Sequence, residues 1–195
     1  MPLNKGFQYE KTAISSLELS LALSGKRLCV VGSTEGLGRA IARLWASRGA
    51  EATVVGRTFR DAGAERISFV RCDLSLLREA AALGECLPID VLLFTNRIIS
   101  APKRQVTAEG IERDMAVSFL SRHALLSTYL LRVQAAAAAA AEPAKVPPLR
   151  LFVMGYPGQG KTAVLGDLNS EKSHGVMPAH MNTVAGARGS CAHSG

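Results

Sequence analysis

A glycine-rich segment follows the first apolar run of the chain and precedes a predicted helix. The segment Gly32-Ser33-Thr34-Glu35-Gly36-Leu37-Gly38 separates the run at residues 28–31 from a stretch with helical periodicity. Glycines allow a tight turn and a close approach of the backbone to a ligand, and the amides at a helix start attract a phosphate. The spacing G-x-x-x-G-x-G, placed between a strand and a helix, therefore predicts a dinucleotide-binding loop. The alternative is a tight turn with no ligand.

A charged position further along the chain indicates which dinucleotide would bind. Arg57 follows the second apolar run, at residues 52–55, and Arg60 is a second cation close by. In a dinucleotide-binding fold, an acid at this strand end binds the ribose 2′-hydroxyl of NAD, whereas an arginine accepts the 2′-phosphate of NADP. We therefore predict NADP in preference to NAD. The alternative is that Arg57 is a solvated surface charge.

The elements that must position these residues follow from the hydrophobic pattern. Short apolar runs alternate with stretches of helical periodicity, which is typical of a parallel sheet covered by helices. We predict strands at 28–31, 52–55, 67–72, 91–95 and 149–154, and helices from Leu37 to Gly49 and over 76–87. Thr107 is predicted to cap a long helix that carries Ile111 on its apolar stripe and continues to about residue 133.

Composition limits the class of protein and its partners. A chain of 195 residues with 48% hydrophobic and 20% charged residues is long enough for one globular domain with a core, which excludes disordered and collagen-like classes. The net charge of +7 suits a phosphate-bearing ligand or serves solubility. Aromatic residues make up only 5% and do not interleave with basic runs, so nucleic acid is not an expected partner.

Cysteine spacing and hydropathy indicate the compartment. Cys29, Cys72, Cys86 and Cys191 form no C-x-x-C pair, so we predict reduced thiols and no metal site. The chain lacks both a basic-then-apolar leader and an apolar stretch of about 18 residues, so we predict a cytoplasmic protein with no membrane span.

Several of these segments together resemble a known family. Val30 to Ala50, Arg57 and Cys72-Asp73-Leu74-Ser75 are similar to the short-chain dehydrogenase/reductase family, over residues 26–184. Residues 107–112 resemble its retinol-dehydrogenase-like branch. The resemblance implies an α/β fold with a Rossmann-like, doubly wound, mostly parallel sheet that here lacks the family's last strands. It divides the chain into an extension at 1–24, a dinucleotide-binding domain at 25–184 with an Ala/Pro insertion at 135–148, and a loosely ordered tail at 185–195.

The resemblance also implies an activity, which is hydride transfer between NADP and a small-molecule carbonyl or alcohol. Asp73 matches the residue that contacts the adenine. Thr95 begins the segment Thr95-Asn96-Arg97-Ile98, which stands where the family usually has Asn-Asn-Ala-Gly.

The family's catalytic positions carry other residues in this chain. Ser118 stands in place of the asparagine, Met154-Gly155-Tyr156-Pro157 in place of the serine segment, and His180 and Val184 in place of the tyrosine and lysine. Histidine differs from a phenol in reach and proton affinity, and valine supplies no charge. His180, Tyr156 and Ser118 are the remaining catalytic candidates, with an ordinary loop histidine as the alternative for His180. We therefore expect either an oxidoreductase with modified or impaired catalysis or a non-catalytic NAD(P)-binding protein.

A second nucleotide motif overlaps the fifth predicted strand end. Residues 155–162 satisfy G-x-x-x-x-G-K-[ST], the pattern of an ATP- or GTP-binding P-loop. A P-loop needs a helix directly after it to aim its amides at the phosphates. The sequence after Thr162 predicts barely one helical turn, so this remains a minor alternative.

Overall fold

Five parallel strands form the centre of the protein. A computed structural model describes residues 23–139, 149–155 and 162–191. The strands are β1 (Arg27–Val31), β2 (Glu51–Gly56), β3 (Ile67–Arg71), β4 (Val91–Phe94) and β5 (Arg150–Val153). Their order in the sheet is β3-β2-β1-β4-β5, and every pair is parallel. The predicted α/β fold with a Rossmann-like sheet is confirmed, and each strand lies where the apolar runs predicted it.

Helices cover both faces of this sheet. They are α1 (Gly36–Ser47), α2 (Leu77–Cys86), α3 (Arg113–Ala139) and α4 (Val176–Cys191). Helix α3 is composite: an α-helical turn (Arg113–Met115) leads into a π-helical turn (Ala116–Leu120) and then an α-helix (Ser121–Ala139). Val30 and Val54 pack with Ala42 and Ala46 of α1 on one face. On the other face, Cys29 and Val31 pack with residues of α2 and α3. Alternate side chains of β1 thus enter opposite cores, as a buried central strand requires.

The start of α3 differs from the prediction. Thr107 was expected as the N-cap, but its hydroxyl accepts hydrogen bonds from the amides of Glu109 and Ile111 in a preceding turn. Glu112 caps the helix instead, because its Oε2 accepts from the Met115 amide at 2.8 Å. The early apolar periodicity therefore belongs partly to a turn, and the helix begins at Arg113.

Helix α4 extends into the segment for which loose order was predicted. The backbone is helical through Cys191, while the buried residues Ala179, Met181 and Val184 precede the predicted tail at 185–195. The remaining tail residues, the N-terminal extension before residue 23 and the loop at 140–148 lie outside the described residues. None of the described helices has the length and hydropathy needed to cross a membrane.

The P-loop alternative can be examined only at its flanks. Residues 156–161 lie outside the described residues. After Thr162 the backbone is irregular, and a single 3₁₀ turn follows at Leu165–Asp167. The helix that a P-loop needs is therefore not formed in the described residues that follow Thr162.

Candidate functional site

The carboxyl ends of the strands frame two adjoining clefts at the point where the strand order switches, between β1 and β4. The cleft over β2 and β3 measures about 200 Å³, and the one over the glycine loop and the end of β5 about 440 Å³. Gly32, Thr95 and Arg97 line both clefts, which therefore form one joined groove. The residues predicted to bind a cofactor that line this groove are Gly32, Thr34, Glu35, Gly36, Leu37, Gly38, Arg57, Asp73 and Thr95.

The glycines of the loop have different structural roles. A Cβ on Gly32 would lie 2.4 Å from Asn96 Cα, and one on Gly38 would lie 2.4 Å from Thr95 Oγ1, so both positions permit close packing against the end of β4. Gly36 has a φ of +58°, and a Cβ there would meet no atom within 4 Å. The backbone at Gly36 therefore faces open space in the groove. This space is where a phosphate could approach the chain.

The amino end of α1 points into the same groove. The Glu35 side chain makes no capping hydrogen bond to the first turn and instead forms an ion pair with Arg60. First-turn amides have no acceptor within their own helix, so they favour an anionic ligand. The loop thus combines an open glycine with a helix terminus, as a diphosphate site requires.

The hydroxyl groups of the loop are used inside the protein. Ser33 is fully buried, and its Oγ donates to Val30 O at 2.6 Å. Thr95 Oγ1 donates to Val31 O at 3.0 Å. Ser33 is therefore a structural residue of the turn, and only Thr95 of this pair also lines the groove.

Arg57 and Asp73 lie together in the cleft over β2 and β3. Arg57 is exposed, and Asp73 Oδ1 accepts a hydrogen bond from the Ser75 amide at 3.0 Å. Burial opposes ionisation of Asp73, but the bond from Ser75 and the positive charges of Arg57 and Arg113 outweigh it and lower the pKa of Asp73. An arginine and a carboxylate thus stand at the groove end where the adenosine half of a dinucleotide would lie.

Two of the catalytic candidates are buried. Ser118 lies in the π-helical turn, and its Oγ accepts from the Ile98 amide at 3.0 Å. His180 is on α4 and only 3% exposed, so the loop-histidine alternative is wrong. Its Nδ1 lies 2.6 Å from Asp114 Oδ2 and its Nε2 contacts Arg97 Nη2. Neither Ser118 nor His180 is among the described residues that line the groove, and Tyr156 lies outside the described residues.

Three charged residues of this region were missed by the sequence analysis. Arg97 lines the groove, Asp114 is fully buried behind it, and buried Arg122 donates to the backbone oxygen of Asn96. Burial first, and the charge of Arg97 second, lower the pKa of Arg122 to about 10. Arg97 could have been identified from the sequence, because a cation shortly after a buried strand indicates a position at the carboxyl end of the sheet. Asp114 and Arg122 lie in a helical stretch where charge ordinarily indicates a solvated face.

A separate cavity lies on the opposite side of α3. It measures about 780 Å³ and is lined mainly by apolar side chains, including Met115 and Phe119 of α3 and Ala185 of α4. Arg113 and Val117 face the groove instead, so α3 stands between the two spaces. Over the described residues, no group of three or more His, Cys, Asp or Glu side chains is arranged to hold a metal ion.

Comparison with known proteins agrees with this geometry. No protein-family model matches the chain. A Saccharomyces cerevisiae protein, "Uncharacterized oxidoreductase YKL107W", is 41% identical over 165 residues, which cover 81% of this chain and 52% of that protein. This chain therefore spans about half the length of that relative.

Solved structures share the fold at lower sequence identity. A metagenomic short-chain oxidoreductase in complex with NADP superposes with a TM-score of 0.58 at 21% identity, covering 86% of this chain and 74% of that one. An NADH-dependent reductase complexed with NAD gives a TM-score of 0.57 at 20% identity, covering 90% and 72%. The resemblance to short-chain dehydrogenase/reductases is thus confirmed at the level of the fold.

Proposed function

We propose that this chain binds NADP in the joined groove and forms the cofactor-binding core of an oxidoreductase of the short-chain dehydrogenase/reductase type. The observation that carries the proposal is that the open glycine loop, the amino end of α1 and Arg57 face one groove at the switch point of a parallel sheet. This is the place where open α/β sheets bind their ligands. The name of the yeast relative supports the same reaction class.

The residues of the groove fit the parts of an NADP molecule. The amides at Gly36 and Leu37 would hold the diphosphate, Asp73 would lie near the adenine, and Arg57 would bind the 2′-phosphate with its planar fork of donors. When bound, NADP supplies or accepts the hydride exchanged with a small-molecule carbonyl or alcohol carbon. The chain's own residues bind and orient the cofactor.

A non-catalytic NAD(P)-binding protein is the second candidate. It is favoured by the positions of Ser118 and His180, whose polar atoms contact protein groups and not the groove. A carbonyl and alcohol screen with NADP(H) separates the two candidates. Turnover at rates typical of enzymes, about 1 to 1000 per second, supports the oxidoreductase. NADPH binding without turnover of any substrate supports the second candidate.

Cofactor preference tests the assignment of Arg57. We expect NADPH to bind more tightly than NADH, because Arg57 offers a charge-assisted contact to the 2′-phosphate. Arg57→Ala should reduce the affinity for NADPH by about 10- to 100-fold, the loss expected for one such contact, and leave that for NADH unchanged. Fluorescence titration measures both affinities.

Arg150→Ala is the matched control for this titration. It removes one exposed cation at the amino end of β5, whereas the groove lies at the carboxyl ends of the strands. It should leave the NADPH affinity unchanged. Equal affinities of the wild type for the two cofactors would refute the 2′-phosphate site.

A further inference from the structure

Arg97 occupies a central place in the joined groove. It lies in the loop after β4, and it is the only charged residue among the described residues that line both clefts. In the cleft over the glycine loop, Arg97 shares the lining with Gly36 and Leu37 at the amino end of α1. Arg57 lies at the end of β2, on the other side of β1. Arg97 is therefore positioned for a different part of a dinucleotide from the 2′-phosphate.

A buried chain of hydrogen bonds fixes the Arg97 side chain. Its Nη2 donates to His180 Nε2, because a guanidinium has only donors. His180 must then carry its proton on Nδ1, which donates to Asp114 Oδ2 at 2.6 Å. Asp114 Oδ2 also accepts from Ser100 Oγ at 3.1 Å, and Asp114 is fully buried. Side chains from α3 and α4 thus hold one guanidinium in place before any ligand binds, which lowers the entropy cost of binding.

The charges around Arg97 favour an anion. Arg122 is buried nearby, and burial first and the positive charge of Arg97 second lower the pKa of Arg122, against the opposing charge of Asp114. Arg122 donates to the backbone oxygens of Asn96 and Met154, so it stands beneath the same end of the groove. Two cations and a helix amino end stand here beside one buried carboxylate, Asp114, so the net local charge favours a diphosphate.

We propose that Arg97 binds the diphosphate bridge of the dinucleotide, and that His180 and Asp114 are positioning residues that hold Arg97 toward it. This inference rests on the proposed function, because it assigns a role within the same groove. It gives the buried His180 a function that needs no contact with substrate. Arg97 also supplies a positive charge beside the diphosphate, which no side chain of the glycine loop provides.

Three probes distinguish the parts of the cofactor. ADP-ribose carries the diphosphate without the nicotinamide, adenosine 2′-monophosphate carries the 2′-phosphate without the diphosphate, and NADPH carries all three groups. Arg97→Met should weaken NADPH and ADP-ribose binding alike, by about 10- to 100-fold, and leave adenosine 2′-monophosphate unchanged. Arg97→Lys keeps the charge but loses the planar pair of guanidinium donors, so it should weaken NADPH and ADP-ribose binding to a smaller extent. It also serves if the methionine variant fails to fold.

The positioning role is tested at His180. His180→Phe removes both hydrogen bonds and should weaken ADP-ribose binding, whereas His180→Gln offers an acceptor to Arg97 and a donor to Asp114 and should restore it. If His180 only stabilised the fold, His180→Phe and His180→Gln proteins of equal melting temperature would bind ADP-ribose equally well. Unchanged ADP-ribose affinity in folded Arg97→Met, or loss of NADPH binding alone, overturns the proposal. If the wild type binds ADP-ribose but neither NADPH nor NADH, the proposed function fails, and the Arg97 variants still decide this inference.

Discussion

At the residue scale, hydroxyl groups near the groove stabilise the ends of strands. Ser33 and Thr95 donate to carbonyls of β1, and Ser118 accepts from the Ile98 amide after β4. The Ser118 bond satisfies the Ile98 amide, which would be costly to bury unpaired, whereas Val31 O also accepts from the Thr95 amide at 2.9 Å. Under the proposed function, ligand contacts are then left to backbone amides and to Arg57, Asp73 and Arg97. Substitution of the buried hydroxyls should therefore affect stability first.

Ser118→Ala tests this division. Removing the acceptor of the Ile98 amide should lower the free energy of unfolding by about 1–3 kcal/mol. For a chain of this size, that lowers the melting temperature by roughly 2–4 °C per kcal/mol. Thermal unfolding measures the change.

Ser127→Ala is the control for Ser118→Ala. Ser127 lies on the same helix with only a 3.4 Å contact to His123, so its replacement should leave the melting temperature nearly unchanged. An unaltered melting temperature in Ser118→Ala, together with lost turnover, would instead identify Ser118 as a catalytic residue.

At the element scale, an ion pair joins the amino ends of β1 and β4. Arg27 Nη2 lies 2.7 Å from Asp90 Oδ1, and the Arg27 amide donates to Asp90 Oδ2 at 2.9 Å. These bonds, with the hydrogen bond from the Arg27 side chain as the largest cause, lower the pKa of Asp90 to about 2. The pair therefore joins two neighbouring inner strands at the amino ends of the strands, opposite the groove.

The pair predicts a specific pH dependence. Because the pKa of Asp90 is depressed in the folded state, its stabilisation is complete above the ordinary value near 3.8 and is lost as the pH falls toward about 2. Arg27 is half exposed, so the contribution is about 1 kcal/mol or less. Urea unfolding of the wild type and Asp90→Asn should show a difference near pH 5 that shrinks with acidification. A difference independent of pH would contradict the assignment.

Much of the element pattern could be predicted from the sequence. The runs around Val31, Val55 and Phe94 are buried on both faces of the sheet, so continuous apolar stretches marked them. Helix α4 was missed because its turns are rich in small and polar residues, and its burial comes from contacts with α3. The start of α3 was misplaced because local turn chemistry at Thr107 imitates a cap.

The candidate groove was predictable where backbone geometry defines it. Gly36 and Arg57 follow from strand and helix boundaries, which the sequence marks. Arg97, His180 and Asp114 come from three elements distant in sequence, and only tertiary packing brings them into one chain of hydrogen bonds. Charge within a helical stretch gives no local signal that its side chain is buried.

At the scale of the whole molecule, the parallel sheet separates the candidate binding groove from a structural ion pair. All five strands direct their carboxyl ends to one edge, which carries the glycine loop, Arg57 and Arg97. The opposite edge carries the Arg27–Asp90 pair. The candidate ligand-binding groove and the Arg27–Asp90 ion pair thus lie at opposite ends of the strands. A bound dinucleotide should stabilise the entire fold by mass action, about 2.7 kcal/mol at a concentration one hundred times its dissociation constant.

The central claim is that the joined groove is a dinucleotide site with its phosphate bound at Gly36. Gly36 and Gly63 both have positive φ with no atom within 4 Å of an added Cβ, but only Gly36 lines the groove. Substitution by valine should therefore cost the two positions similar stability while crowding a ligand at Gly36 alone.

The most direct test is a calorimetric titration of the 195-residue chain with NADPH, using Gly36→Val and Gly63→Val as a matched pair. We predict one-to-one binding by the wild type and Gly63→Val, and at least about tenfold weaker binding by Gly36→Val. Absence of NADPH binding by the wild type, or unchanged affinity in a folded Gly36→Val protein, would contradict the account.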